Sequence, residues 1–192
     1  MAYLFDTDAI SELLKKTPLV AYANWVSGLR REDQFTSSVV IAGLFAGAYL
    51  LAADGRTEAA QRHLWNLRER VIPAVTILPF DALVAETYGR IRSVLQGQGT
   101  PLADMDMQIA ATAKAHNLIL VTGNVVHFER IPGLNICRVL SDARAGLRPL
   151  TSDLWFQLSL AREVFSLLLH WAWPVKPLAR EVYGWLLHWA TF

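Results

Sequence analysis

Short, uncharged apolar segments alternate with longer segments of helical periodicity over about the first 140 residues. The clearest short segments are 2–5, 74–78 and 118–122, and 35–37 and 134–139 are further candidates. Strands of a parallel sheet are buried on both faces, so they consist of continuous apolar residues, and helices make the crossovers between them. The alternation therefore predicts an α/β fold in three layers, with a central, mostly parallel sheet flanked by helices.

The predicted helices lie between these strands. Pro18 suits a first helical turn, and Asp81 is a typical N-cap residue. Gly97–Pro101 is a loop by composition. The predicted helical ranges are 10–16, 18–31, 39–53, 57–71, 81–96 and 104–116.

The composition excludes several classes of protein. An apolar fraction of 53% supports a large core and excludes intrinsic disorder. The single cysteine, Cys137, cannot form an internal disulfide or a cysteine-based zinc site. A net charge of +1 argues against a protein that coats nucleic acid, but not against an enzyme that contacts a phosphate locally. The N-terminus lacks a basic stretch, so we expect no signal peptide and a cytoplasmic protein.

Residues 35–53 form an uncharged stretch almost long enough to span a bilayer. Gly43 and Gly47 within it have the G-x-x-x-G spacing of paired membrane helices. However, the polar residues Thr36–Ser38 would end a strand or cap a helix, which shortens the apolar part to 39–53. We therefore expect a buried core helix, and a membrane-anchored protein is the least favoured alternative.

The composition changes after about residue 150. The last 42 residues contain five of the seven tryptophans, and 160–172 recurs as 178–190 with ten of thirteen positions identical. Apolar residues at helical spacing predict two short helices in a Trp-rich extension over 143–192. Such apolar helices need a partner surface, so we expect them to pack on the first domain or on a second copy in a homo-oligomer. Association with a membrane surface is a weaker alternative, because the extension carries few basic residues.

Acidic and amide side chains stand where strands are predicted to end or helices to begin. Asp6 follows the first strand, Asp104 and Asp106 open a helix after the glycine-rich loop, and Asn124 follows the strand at 118–122. Ligands of α/β proteins bind at the carboxyl ends of strands. Oxygen donors there suit Mg²⁺ or Mn²⁺, which can orient a phosphodiester and activate water. Taken singly, each acid could equally be an ordinary turn or helix-capping residue.

Four segments, Phe5–Glu12, Thr36–Ala48, Pro101–Ala111 and Leu120–Leu134, together resemble the PIN-domain ribonucleases. Their order and spacing are most similar to the VapC class of toxins from type II toxin–antitoxin systems. The resemblance covers residues 2 to about 140, so it implies a PIN-like nuclease domain over 1–142 and leaves the extension unexplained.

The resemblance implies a set of site residues. Asp6 and Asp106 would bind the metal, with Asp104 as a further candidate ligand, and Asn124 would support the site. Thr7 and Ser11 would assist by hydrogen bonding. The family normally has glutamate at the position occupied here by Gly43, so one carboxylate of the site is missing. The glycine belongs either to a natural, degenerate member or to an engineered, less toxic form, and the sequence leaves both explanations open.

The resemblance also implies a function. It predicts a toxin that cleaves structured RNA, of the tRNA or rRNA class, with Mg²⁺ or Mn²⁺ as cofactor and a cognate antitoxin as partner. Because Gly43 replaces an acid, we expect weakened or absent activity in this chain. The alternative is a catalytically inert PIN-fold module that sequesters an antitoxin or self-assembles through its extension.

Overall fold

The structure, a computed structural model, describes residues 1–146. Both copies of the predicted C-terminal repeat lie outside the described residues. The described part contains a five-stranded parallel sheet with the strand order β3-β2-β1-β4-β5. Its strands are β1 (Tyr3–Phe5), β2 (Gln34–Ser37), β3 (Thr76–Leu78), β4 (Ile119–Val121) and β5 (Ile136–Cys137). The predicted α/β architecture with a parallel central sheet is thus confirmed.

Strand β1 lies at the centre of the sheet. Leu4 is in register with Phe35 of β2 on one side and with Leu120 of β4 on the other. Leu4 and Phe5 are buried, as expected for a strand covered by helices on both faces. The carboxyl ends of β1 and β4 therefore lie side by side.

Helices connect successive strands. Four of the sequence-predicted ranges agree closely with the observed helices. The helix at 57–66 continues as a π-helical turn over Leu67–Val71. The helices are α1 (Thr7–Leu13), α2 (Val20–Ser27), α3 (Ser38–Ala53), α4 (Thr57–Asn66), α5 (Ala82–Gly97), α6 (Asp104–Ala115), α7 (Val125–Phe128) and α8 (Val139–Ala145).

Helices α1 (Thr7–Leu13) and α2 (Val20–Ser27) differ at both ends from the predicted ranges 10–16 and 18–31. Helix α1 begins at Thr7 rather than at residue 10, because the Asp6 side chain caps it. Helix α2 ends at Ser27 rather than at residue 31, and Gly28 is its C-cap. Helices α7 and α8 were missed because both are very short. The residues predicted as strand 134–139 instead form the short β5 and then the start of α8.

Helix α3 contains the uncharged stretch that the sequence left open to two interpretations. It buries Val40, Ile41, Leu44 and Ala48 in the core, and the Ser37 side chain caps its N-terminus. Among residues 1–146, no helix has the length and apolarity needed to cross a membrane. The preference for a core helix over a spanning helix is consistent with this burial.

We expect a chain that ends at Gly146 to fold without the extension. The described core runs from Leu4 to Leu140, and Gly146 ends α8 in a left-handed conformation that favours glycine. Thermal unfolding of this shortened chain, followed by circular dichroism, should give one cooperative transition. Loss of cooperative unfolding in the shortened chain would contradict this expectation.

Candidate functional site

A cavity of about 480 Å³ opens at the carboxyl ends of β1 and β4. It lies where the sequence predicted a ligand site, because α1 and α6 begin at this edge of the sheet. The residues that line it are Asp6, Thr7, Asp8, Met105, Asp106, Ile109, Gly123, Asn124, Phe128 and Arg144. Residues separated by more than 130 positions in the chain thus meet in one cavity.

Asp6 is the most buried acid of the cavity. Its Oδ1 accepts a hydrogen bond of 2.7 Å from the N–H of Ala9, which fixes the carboxylate at the start of α1. Burial raises the pKa of the Asp6 carboxyl to about 6. The negative charges of Asp8 and Asp106 act in the same direction, whereas hydrogen bonds from Thr122 and Ala9 oppose the rise in pKa. A bound cation would favour the ionised carboxylate.

Asp106 and Asn124 approach the cavity from two other elements. Asp106 lies in the first turn of α6, and Asn124 follows β4 at the N-cap of α7. His127 links them, since its Nδ1 lies 3.6 Å from Asp106 Oδ2 and 2.7 Å from Asn124 Nδ2. Because the Asn124 amide nitrogen faces His127, its carbonyl oxygen is left for another partner. His127 was not among the residues predicted for the site, although it follows Asn124 by one helical turn.

Asp104 and Ser11 do not line the cavity, although the sequence placed both among the site candidates. Asp104 Oδ1 accepts a hydrogen bond of 2.9 Å from Tyr88 Oη and lies 4.0 Å from Arg92. Because successive helical residues point about 100° apart, Asp104 and Asp106 face different directions. Thr7, in contrast, lines the cavity, and its buried hydroxyl has no hydrogen-bond partner among the described residues.

Gly43 lies on α3 beside the cavity. A Cβ atom at this position would lie 3.1 Å from Met105 Cε, 3.4 Å from Met105 Sδ and 3.9 Å from Thr7 Oγ1. Met105 and Thr7 both line the cavity, so a longer side chain at residue 43 would start at its wall. The missing carboxylate inferred from the sequence therefore corresponds to a position next to the other acids.

A second group of charges in the cavity includes Arg144 and Asp8. Arg144 Nη1 and Nη2 pair with the two carboxylate oxygens of Asp8 at 2.5 and 2.8 Å, and Nη2 also lies 3.2 Å from Glu12 Oε2. Glu12 is buried and also accepts from Lys15 Nζ at 2.6 Å and from the Leu19 N–H. Burial raises the pKa of Glu12, but these hydrogen bonds outweigh it and leave that pKa below its usual value.

The donor set of the cavity fits a hydrated Mg²⁺ or Mn²⁺ held weakly. Within residues 1–146, no three Asp, Glu, His or Cys side chains are grouped closely enough to hold a metal ion by themselves. Mg²⁺, however, usually takes only one or two carboxylates from a protein and keeps several waters. Asp6 and Asp106 could supply those carboxylates, and a metal-bound water would satisfy the unpartnered Thr7 hydroxyl.

The fold and the acid-lined cavity define the class of protein. A family model described as PIN domain matches residues 3–134, and the chain belongs to this family. The resemblance to PIN-domain proteins is thus confirmed, and relatives named VapC extend it to that class.

Two curated relatives and one solved structure illustrate the similarity. Toxin FitB from Neisseria gonorrhoeae is 35% identical over 65% of this chain and 89% of the relative. The tRNA(fMet)-specific endonuclease VapC from Shigella flexneri is 29% identical over 70% of this chain and 95% of the relative. The crystal structure of FitAcB from Neisseria gonorrhoeae matches with 32% identity and a TM-score of 0.64, over 71% of this chain and 97% of that chain.

Proposed function

We propose that this chain is the toxin of a toxin–antitoxin pair and has the site of an Mg²⁺-dependent endoribonuclease, weakened by Gly43. The observation that carries the proposal is the convergence of Asp6, Asp106 and Asn124 on one cavity, with Gly43 beside it. The relatives named as a toxin and as a tRNA-specific endonuclease support this activity. The substrate that we propose is structured RNA of the tRNA or rRNA class.

The side chains of the cavity would have different roles in phosphodiester hydrolysis. Asp6 and Asp106 would hold Mg²⁺ or Mn²⁺, and Asn124 would support it. When bound, the ion supplies positive charge that polarises the phosphodiester and makes a water more acidic. Asp6 is held in place by Ala9 and Thr122, so its carboxylate needs little reorganisation. With Gly43 in place of an acid, the ion would be held less tightly.

We propose a cytoplasmic location, a cognate antitoxin as partner, and a homo-oligomer formed with the help of the extension over 143–192. An apolar cavity of about 200 Å³ near α1 and α2, separate from the acidic one, offers a place for side chains of a partner helix. Its lining includes Ile10, Leu13 and Leu14 of the α1 region. Apolar helices bind such grooves through side chains at helical spacing.

A second candidate function is an inert PIN-fold module that binds an antitoxin or itself. The observation that favours it is Gly43, which leaves this position beside the cavity without a carboxylate. This module would bind its partner without cleaving RNA, even when an acid is introduced at residue 43. The cleavage of labelled tRNA by a Gly43→Glu variant in Mg²⁺ therefore separates the two candidates.

Mg²⁺ should stabilise the wild-type chain through Asp106. At a concentration ten times the dissociation constant, we expect the melting temperature to rise by about 3–6 °C. An Asp106→Asn variant should lose most of this rise, because it removes one of the two carboxylates. Differential scanning fluorimetry with MgCl₂ and MnCl₂ measures the shift.

The matched control for this measurement is Asp104→Asn, two residues away on the same helix. Asp104 is exposed and hydrogen-bonded to Tyr88 outside the cavity, so its variant should keep the full Mg²⁺ response. Equal responses of the Asp106 and Asp104 variants would place the metal elsewhere and contradict the assignment.

A further inference from the structure

Arg144 brings a positive charge into a cavity lined otherwise by carboxylates. Among the described residues, it is the only cationic side chain that lines this cavity, together with Asp6, Asp8 and Asp106. About a third of its side chain is exposed. The family match ends at residue 134, so Arg144, on α8, lies beyond the region that the family model covers.

The guanidinium is held in a fixed orientation. Asp8 engages both terminal nitrogens, and Glu12 accepts a further hydrogen bond from Nη2. An arginine has five N–H donors, so three are used here, and the Nε hydrogen and one Nη1 hydrogen are left for a ligand. These two hydrogens lie on different edges of the guanidinium, so each can donate one hydrogen bond to a phosphate oxygen. An arginine whose orientation is already fixed loses little entropy when it makes such a contact.

Gly123 leaves room for this arrangement. A Cβ atom at residue 123 would lie 2.9 Å from Arg144 Cζ and would collide with Nη1 and with Asp8 Oδ2. The guanidinium therefore lies directly against the backbone that precedes Asn124, one of the residues assigned to the proposed site. This contact places the positive charge beside the part of the cavity where the reacting phosphodiester would be held.

A purely structural role does not account for the location of Arg144. Glu12 already has Lys15 and the Leu19 N–H as partners, so it does not depend on Arg144 alone. Arg138 at the start of the same helix pairs with Glu129 and does not line the cavity. An ion pair whose only role was to hold α8 against the rest of the domain could likewise have formed outside the cavity.

We propose that Arg144 is a substrate-binding residue that contacts a phosphate of the RNA backbone. The inference rests on the proposed ribonuclease function and adds a binding group for the substrate. RNA carries one negative charge per phosphate, and the carboxylates of the cavity repel it. Arg144 offsets this repulsion at one phosphate, while Asp8 and Glu12 keep the guanidinium in place.

Binding of fluorescently labelled tRNA to the full chain tests this, measured by anisotropy in MgCl₂ over a series of KCl concentrations. We expect Arg144→Gln to weaken binding about tenfold at low salt. The slope of log affinity against log salt should become shallower by about 0.7–0.9, the value for one lost phosphate contact. Arg138→Gln, the matched control, should retain the wild-type affinity and slope.

Two further variants keep the test decisive if Arg144→Gln folds poorly. Gly123→Ala retains the charge of Arg144 but displaces its guanidinium, so it should also weaken tRNA binding. Arg144→Lys should retain most of the salt slope, because the charge remains. Melting temperatures of all variants show which of them are folded.

The outcomes separate this inference from the proposed function. Wild-type affinity and slope in folded Arg144→Gln and Gly123→Ala overturn the role of Arg144 and leave the ribonuclease proposal intact. Equal losses in Arg144→Gln and Arg138→Gln also overturn it, since they indicate a general effect of surface charge. A wild-type chain that binds no tRNA overturns both proposals.

Discussion

A Gly43→Glu variant is expected to cleave tRNA in Mg²⁺ at least about 100-fold faster than the wild-type chain. The factor follows from metal sites in general, where even the loss of a residue that only orients a ligand costs about 10- to 100-fold. A carboxylate that binds the ion directly should matter at least as much. Gel electrophoresis of end-labelled tRNA, with Mg²⁺ and with EDTA, measures the difference.

The surroundings of Gly43 allow this substitution. The nearest atoms to a new Cβ belong to the flexible end of the Met105 side chain, which is partly exposed and can move aside. The next contact is the Thr7 hydroxyl, whose hydrogen-bonding capacity is unused. A glutamate is also a better helix residue than glycine, so α3 should tolerate it.

Gly43→Gln and Gly43→Ala are the controls for this experiment. Glutamine has the size of glutamate but lacks its charge, so it should not restore cleavage. Alanine should remove the cost of a helical glycine, about 1 kcal/mol, without adding a metal ligand. Absence of cleavage by a folded Gly43→Glu variant would favour the inert binding module over the nuclease.

An Asp6→Asn variant is expected to be more stable than the wild-type chain at pH 7.5 without metal, by about 1–3 kcal/mol. The ionised form of the buried Asp6 is disfavoured in the folded state. Asparagine removes that charge, yet it is an equally good N-cap and can keep the hydrogen bond from Ala9. Urea unfolding of both chains in EDTA measures the difference in the free energy of unfolding.

The pH dependence of this difference has a definite sign. Burial raises the pKa of Asp6 to about 6 in the folded chain, above the ordinary value of 3.8 for an aspartate. The folded state therefore binds the proton more tightly than the unfolded state does. This gives the folded state a stability advantage that is fully present below about pH 4. The advantage is lost as the pH rises towards about 6, so the wild-type chain should lose stability relative to Asp6→Asn across this range.

Asp81→Asn is the matched control for the stability measurement. Asp81 caps α5 as Asp6 caps α1, with its Oδ1 accepting from the Val84 N–H at 3.0 Å, but Asp81 is exposed. Its substitution should change stability by less than about 0.5 kcal/mol. If Asp6→Asn were no more stable than the wild-type chain at any pH, the ionised Asp6 carboxylate would not destabilise the folded chain.

The sequence predicted the features that depend on local pattern. The apolar segments identified all five strands, since strands covered on both faces lack charged residues. The acids Asp6 and Asp106 were identified because they lie directly beside predicted element boundaries. Asn124 was found in the same way, after β4. The resemblance to PIN-domain proteins added the significance of Gly43.

The remaining site residues depend on the three-dimensional arrangement. Arg144 lies 136 positions from Asp8 in the chain, and no local pattern connects the two. Asp104 was a further candidate ligand in the sequence, but the rotation of the helix directs it to Tyr88 instead. The Glu12 carboxylate is buried and has partners in Lys15, the Leu19 N–H and Arg144, and this set of contacts requires the packed structure.

The position of β1 at the centre of the sheet affects when the chain can fold during its synthesis on the ribosome. The first strand needs β4, more than a hundred residues later, as its second neighbour. Contacts between such distant segments form slowly, because a long loop must close first. Arg144, which also lines the cavity, is synthesised later still, because it lies on the last helix of the described part. A nascent chain therefore lacks the complete acid-lined cavity during most of its synthesis, so the proposed ribonuclease activity would begin only when the chain is nearly complete.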